Sequence, residues 1–299
     1  MAGELRWGVL GAAWIGERAM LPALKAAESS RLLAIASRDV GRAESMAARH
    51  GVERVHVDYD ALLEDRDVDA VYLPLANSLH REWTLRALAA GKHVLCEKPL
   101  ALDAAEAEEM AAAARAAGRL LMEAVMYRFH PRMRELKASL AGARVRHLYA
   151  SFGFPLDAPG NYRLLPQLGG GAVLDTGCYV ADVARWLLGE PERVEALIRR
   201  EAVDMSCLAL LGFPGGAQAS LYCSFETPEY QELVVVCADR VLRVSAPFTA
   251  WRDPHDPYQL MVEAFSVAAL SGDPSPLPVE SSVANLRLLD RIRAAAAAP

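Results

Sequence analysis

Short apolar runs alternate with longer stretches of helical spacing over the first third of the chain. Residues 5–10, 32–37, 70–73, 93–96 and 120–123 are brief and apolar, and read as strands. Residues 14–27, 40–50 and 78–90, and the alanine-rich stretch that ends at Ala117, carry helical spacing. Asp39 and Asp103 stand where helix N-caps belong, and Gly91 and Gly118 where helices stop. Strands alternating with helices of this length predict β-α-β units and a parallel sheet. The strands are almost wholly apolar, as in a sheet covered on both faces.

The pattern changes after residue 123. Residues 145–154 read as a strand, Gly169-Gly170-Gly171 as a sharp break, and 172–188 as a helix closed by Gly189. Residues 193–244 are strands and turns with no helix between them. Pro214-Gly215-Gly216 marks a hairpin between residues 208–213 and 217–225. Residues 258–270 and 281–298 read as closing helices. The expected fold class is therefore α/β followed by α+β. A doubly wound parallel Rossmann domain spans 1–123. A mostly antiparallel open-sheet domain spans 124–299, with its final helix packing back on the first domain.

Composition narrows the function. With 53% hydrophobic and 23% charged residues over 299 positions, the chain has material for a core. A net charge of −6 argues against a nucleic-acid partner. No run of about 18 uncharged apolar residues suggests a membrane span. The chain enters its first strand at once, so no signal peptide is expected. Cys96, Cys178, Cys207, Cys223 and Cys237 form no C-x-x-C pair, which reads as buried thiols in a reducing cytoplasm. His255 with Asp253 and Asp256 lacks metal-ligand spacing, and no metal is expected.

Candidate chemistry begins after the first strand. Gly11, Ala12, Ala13, Trp14, Ile15 and Gly16 occupy the turn where a dinucleotide pyrophosphate meets a helix N-terminus. The glycine pattern is degenerate, with Ala13 at the second glycine's place; the strand–turn–helix context supplies the weight. At the end of the second strand stand Ser37 and Arg38 rather than a carboxylate. A hydroxyl and a cation suit a 2′-phosphate, so NADP is favoured over NAD. Asp39 is placed either to reach the ribose or to cap the next helix. Asn77 and His80 follow the apolar run 70–73 at the carboxyl edge, where ligands of such sheets bind.

Glu97-Lys98-Pro99, the run from Gly169 to Tyr179, Pro74-Leu75-Ala76-Asn77-Ser78-Leu79-His80 and the segment from Glu123 to Pro131 complete a set with Gly11–Gly16. Together they resemble the glucose–fructose oxidoreductase / inositol dehydrogenase (Gfo/Idh/MocA) family, in particular its NADP-dependent xylose and dihydrodiol dehydrogenases. The resemblance implies hydride transfer between NADP and a secondary alcohol or hemiacetal carbon of a sugar, sugar derivative or cyclic diol bound between the two domains. It implies Tyr179 as proton donor and acceptor, and Lys98 as the group that polarises the substrate oxygen. Asp175, four residues before Tyr179, would bind substrate or steer Lys98. Leu75, Asn77, His80, Glu97 and Lys98 would line the cofactor, and Arg128 and Arg163 would touch the substrate.

Two alternatives stand beside this reading. One is a nucleotide-sugar ketoreductase of deoxysugar synthesis that uses the same residues in the reducing direction. The other is a catalytically silent NADP-binding sensor, which the presence of Lys98 and Tyr179 disfavours. The resemblance further implies a homo-oligomer, dimer or tetramer, through the C-terminal sheet. The short path from Val244 to the helix at Tyr258 predicts that this sheet is trimmed by a strand or two.

Overall fold

The computed structural model describes residues 3–158, 160–249 and 254–296. Asp253 and the last alanines of the closing helix lie outside the described residues. The chain divides into two compact units. One comprises Met1–Ala101, Ala105–His130 and Ala250–Val283; the other comprises Leu102–Ala104, Pro131–Thr249 and Ala284–Pro299.

The first unit opens with β1 (Leu5–Leu10), α1 (Leu21–Ala26), β2 (Ser30–Ala36), α2 (Val40–His50), β3 (Arg54–His56) and α3 (Tyr59–Glu64). It continues with β4 (Ala70–Leu73), α4 (His80–Ala89), β5 (His93–Cys96), α5 (Ala104–Ala117) and β6 (Leu121–Glu123). All six strands are parallel, in the order β3-β2-β1-β4-β5-β6. The chain steps outward from β1 to β3 and then returns to the other side of β1 at β4. The crevice beyond the carboxyl ends of β1 and β4 is the topological switch point, where ligands of open α/β sheets bind. Val9, Leu10, Val71, Leu73, Val94 and Leu95 are buried, which explains why the strands carry no polar alternation.

The second unit opens with α6 (Pro131–Ser139), β7 (Val145–Gly153) and α7 (Cys178–Leu188). Five strands follow, β8 (Arg193–Arg200), β9 (Asp204–Gly212), β10 (Gln218–Ser224), β11 (Tyr230–Cys237) and β12 (Val241–Ser245), of which β8-β9-β10 form a meander and β11-β12 a hairpin across β7. Its sheet runs β12-β11-β7-β10-β9-β8. Only the β7–β10 pair is parallel. One face packs on α7, burying Leu148, Ala150, Ala209, Leu221 and Leu233. The other face leaves Leu197 74% exposed, with Leu208 and Leu210 beside it.

The closing helices are α8 (Pro257–Ser271) and α9 (Val279–Ala295). α8 belongs to the first unit, where the Trp7 and Phe265 rings lie 5.1 Å apart and the Trp7 indole donates to Ser266 Oγ at 3.3 Å. The final helix was expected to pack back on the first domain; α9 starts within the first unit, where Glu280 pairs with Arg115 of α5 at 3.1 Å, and from Ala284 onward it clusters with the second unit. All five cysteines are buried. Among the described residues, no helix is long and apolar enough to cross a membrane.

Candidate active site

The turn after β1 is shaped around Gly11. Its N–H bonds to the Ala36 carbonyl at 2.8 Å and its φ is +126°. A Cβ there would stand 2.9 Å from Leu75 Cδ2, the end of a side chain that can shift, so it is the backbone conformation that requires glycine. Gly16 differs: its nearest neighbours are 3.6–3.9 Å from a Cβ position, ordinary contact distances that alanine would tolerate. The helix begins at Trp14 and runs through a wide π-type turn, Gly16–Met20, into α1. Its first-turn N–H groups are the donors that a phosphate takes. Ala12 is buried, Ala13 and Ile15 are half-buried, and Trp14 is 66% exposed with the Arg18 guanidinium 4.9 Å from its ring centre.

At the end of β2 the buried Ser37 hydroxyl accepts the Asp39 N–H at 3.2 Å. Asp39 Oδ1 accepts the Arg42 N–H at 3.1 Å and so caps α2. Its carboxylate serves the cap, the second of the two uses open to it. Arg38 is exposed. Arg42, absent from the sequence candidates, reaches back from the first turn of α2 to the Ala12 carbonyl at 2.9 Å. Its position one turn past the cap is the signal that could have singled it out.

The edges of β4 and β5 are braced together. Asn77 is buried in a short 3₁₀ turn, Asn77–Leu79, just beyond Leu75. His80 was expected beside the cofactor. Instead it is fully buried, with Nδ1 2.8 Å from the Pro99 carbonyl and Nε2 3.1 Å from the Leu75 carbonyl. Burial, seconded by the Lys98 charge, holds its pKa below the usual histidine value against the pull of those carbonyls. Glu97 was expected to contact the nicotinamide ribose. Its Oε1 takes the Tyr72 hydroxyl at 2.6 Å, and its Oε2 the Lys98 N–H at 3.3 Å. Burial and the Glu97 charge push the Tyr72 phenol well above its ordinary range. The Lys98–Pro99 peptide is cis, and Lys98 itself is half-buried. Glu123 Oε1 accepts the Leu100 N–H at 2.9 Å and fixes the far side of the same segment. Tyr72 and Glu123 were not legible as site residues, because each acts through another residue's backbone or carboxylate. Arg128 is buried with Nη1 3.4 Å from Ser281 Oγ, within the first unit.

The second unit gathers the remaining candidates. Asp175 and Tyr179 are both buried. The helix that carries them opens with another π-type turn, Val173–Gly177, before α7. Arg163 Nε donates to Asp175 Oδ2 at 2.9 Å. Burial works against the Arg163 charge, but Asp175 and the Tyr162 and Tyr179 phenols outweigh it and raise its pKa. Arg163, Asp175 and Tyr179 thus form one cluster. The Tyr179 ring lies 5.5 Å from Phe152 and 5.4 Å from Phe248, which stack 5.6 Å apart. The glycine break seats this arrangement: the Gly170 and Gly171 N–H groups bond to the Leu165 and Arg163 carbonyls at 3.1 and 2.9 Å. The N–H of Val173 is met by Asp204 Oδ1 at 2.6 Å, so the cap of this helix is Asp204, which the sequence reading did not single out.

Among the described residues, no group of three or more His, Cys, Asp or Glu side chains is placed to hold a metal ion.

The comparisons with known proteins cover both units. The family described as "Oxidoreductase family, NAD-binding Rossmann fold" (GFO_IDH_MocA) matches residues 5–125, and the GFO/IDH/MocA C-terminal domain matches residues 130–243. D-xylose 1-dehydrogenase (NADP(+)) 2 of Haloferax volcanii is 39% identical over 96% of this chain and 96% of its own. Trans-1,2-dihydrobenzene-1,2-diol dehydrogenase of Mus musculus is 36% identical over 75% of this chain and 69% of its own. The crystal structure of KijD10, a 3-ketoreductase from Actinomadura kijaniata in complex with NADP and TDP-benzene, superposes with a TM-score of 0.88. It is 36% identical, with 98% of each chain covered.

Proposed function

Because the chain belongs to the GFO/IDH/MocA family of oxidoreductases, we propose that it is an NADP-dependent dehydrogenase or reductase of a CH–OH group on a sugar, sugar derivative or cyclic diol. The observation that carries this reading is the Arg163–Asp175 pair beside Tyr179 and the stacked Phe152 and Phe248. A polyhydroxylated ring has apolar C–H faces that suit aromatic walls, and hydroxyls that suit a carboxylate and a guanidinium.

Tyr179 is the acid/base group. Taking hydrogen from an alcohol carbon requires the hydroxyl proton to leave as well, and a positioned side chain must accept it. A phenol has a pKa near 10 and needs a nearby cation to do this at neutral pH. Lys98 supplies that cation and polarises the substrate oxygen. Asp175 and Arg163 hold neighbouring hydroxyls. Bound NADP supplies the two-electron redox chemistry. The turn from Gly11 to Gly16 holds its pyrophosphate, and the residues present fit: the turn after β1 leads directly into a helix N-terminus whose first-turn N–H groups are free of intrahelical acceptors. Ser37, Arg38 and Arg42 hold its 2′-phosphate. The exposed face around Leu197, Leu208 and Leu210 joins subunits of a homo-oligomer.

A panel of aldoses, inositols and diols, offered with NADP and with NAD, tests the reading. Lys98→Ala and Tyr179→Phe should each lower turnover by about a hundredfold or more while NADPH binding persists; full activity in either variant refutes its role. The chain's similarity to KijD10 keeps the ketoreductase alternative in the panel. Faster reduction of a nucleotide-linked ketosugar than oxidation of any free sugar would decide for it.

A further inference from the structure

Gly171 and Asp204 are fitted to each other. Gly171 has φ +119°, and a Cβ at that position would lie 2.5 Å from Asp204 Oδ2 and 2.8 Å from its Cγ. No side chain other than glycine's hydrogen leaves room for the carboxylate. Asp204 is the first residue of β9, on the hairpin that returns from β8. Its Oδ1 takes the Val173 N–H at 2.6 Å. That N–H is among the helix-terminal donors that lack an intrahelical acceptor. The Asp175 N–H in turn bonds to the Gly171 carbonyl at 3.1 Å. Asp204 therefore grips the backbone two residues before Asp175 and six before Tyr179, from a strand that is otherwise part of the sheet.

We propose that Asp204 is a positioning residue for the reaction: it anchors the opening turn of the helix so that Asp175 meets Arg163 and Tyr179 presents its hydroxyl. The proposal rests on the reading of Tyr179 as acid/base. The wide turn Val173–Gly177 makes such an anchor consequential. A π-type turn is a locally weaker arrangement than the α-helix it interrupts. Without a fixed first turn, relaxation toward regular α-helix would rotate Asp175 relative to Tyr179. Burial raises the Asp204 carboxyl pKa, opposed by the Val173 N–H and by the charges of Arg293 and Arg200. The acceptor oxygen, not the charge, is what the geometry uses.

The test compares Asp204→Ala, Asp204→Asn, Tyr179→Phe and a distant glycine control, Gly118→Ala, in the full chain, with the best-turned-over sugar of the panel. Asp204→Ala should lower kcat about 10- to 100-fold, the scale of a small misplacement of reacting groups. The dissociation constant for NADPH should stay within about twofold, and Asp204→Asn, which keeps an acceptor oxygen, should recover most of kcat. Gly118→Ala, whose Cβ position has nothing within 4 Å, should lower the melting temperature without lowering kcat. Wild-type kcat in a folded Asp204→Ala, with Tyr179→Phe inactive, overturns this inference and leaves the acid/base reading standing. If Asp204→Ala does not fold, Asp204→Ser, whose shorter side chain cannot span to the Val173 N–H, carries the test: a kcat lowered tenfold or more beside a near-normal Asp204→Asn supports the inference, and wild-type kcat in Asp204→Ser overturns it. Full activity of Tyr179→Phe overturns both.

Discussion

The His80 imidazole lies 2.8 Å from the carbonyl oxygen of Pro99, the residue that follows Lys98. Its other ring nitrogen faces the Leu75 carbonyl at 3.1 Å, and Leu75 is the side chain that packs against Gly11. One buried ring thus ties the glycine turn to the lysine segment. The neutral imidazole has one N–H and donates to one of these carbonyls, so replacing His80 with Ala leaves that carbonyl without its donor, at about 1–3 kcal/mol. The expected outcome is a stability loss of that order, measured by denaturant unfolding, together with a lower kcat. A His80→Ala enzyme with wild-type stability and kcat would show that the brace does nothing.

The same ring makes stability depend on pH. Burial holds His80 below the ordinary histidine value, and burial with the Arg119 charge does the same to His93. In the unfolded chain both titrate near 6.5. Below about that pH the unfolded state binds protons that the native state refuses, so stability falls as pH falls. Asp65 and Asp69 act in a lower window. Burial alone would raise them, but backbone N–H bonds and Arg54 for Asp65, and Arg6 for Asp69, bring both below the usual value. Their contribution is complete above about pH 4 and is lost as pH drops further. Unfolding free energies from pH 8 to 3 should decline in two stages. A flat profile between about pH 6.5 and 5 would contradict the histidine assignment.

Much of the scaffold was legible because apolar runs and caps are local. β1 and β4, and α2 behind its Asp39 cap, coincide with the patterns read in the sequence. Arg54–His56 was not read as a strand, since it is a partly exposed three-residue edge with no apolar pattern. α3, at six residues, and the polar α6 also lacked the long periodicity that announces a helix. The site divides along the same line. The glycine turn, Lys98 and Tyr179 announce themselves by motif. Arg42, Tyr72, Glu123 and Asp204 act on backbone or carboxylate groups that are distant in sequence, and only the fold brings those together. The two wide turns were invisible as well, because an extra residue in one turn barely disturbs a 3.6-residue pattern.

Arg42 offers a test of the cofactor preference. It stands beside the glycine turn on the carbonyl of Ala12, while Arg38 is exposed at the end of β2. A charged hydrogen bond is worth about 1.5–3 kcal/mol, or roughly 10- to 150-fold in affinity. Arg42→Ala should lower kcat/KM for NADP by a factor in that range and leave kcat/KM for NAD nearly unchanged. Arg38→Ala should act in the same direction but less, because an exposed cation is better screened. Equal losses with both cofactors would mean that Arg42 serves the turn's backbone and not the 2′-phosphate.

Gly170 offers a test of the substrate cluster that touches none of its side chains. Its φ is not left-handed; what it lacks is room. A Cβ there would stand 2.4 Å from the Arg163 carbonyl oxygen, 2.8 Å from its carbon and 3.0 Å from the Leu165 nitrogen. All three are backbone atoms, so no rotamer change relieves the contact, and the Arg163 segment must move. Arg163 would then lose its 2.9 Å bond to Asp175. Overpacking of this kind destabilises by about 1–3 kcal/mol. Gly170→Ala should therefore unfold at lower denaturant and show a raised KM for the sugar. Its NADPH affinity should hold, because every residue assigned to that cofactor is in the first unit. Gly118→Ala separates stability from site geometry: its φ is +60° and its Cβ position is open. That substitution should cost about 1 kcal/mol through backbone strain alone, with no change in KM. A Gly170→Ala enzyme that loses stability but keeps its KM would show that the Arg163 segment does not bind the substrate.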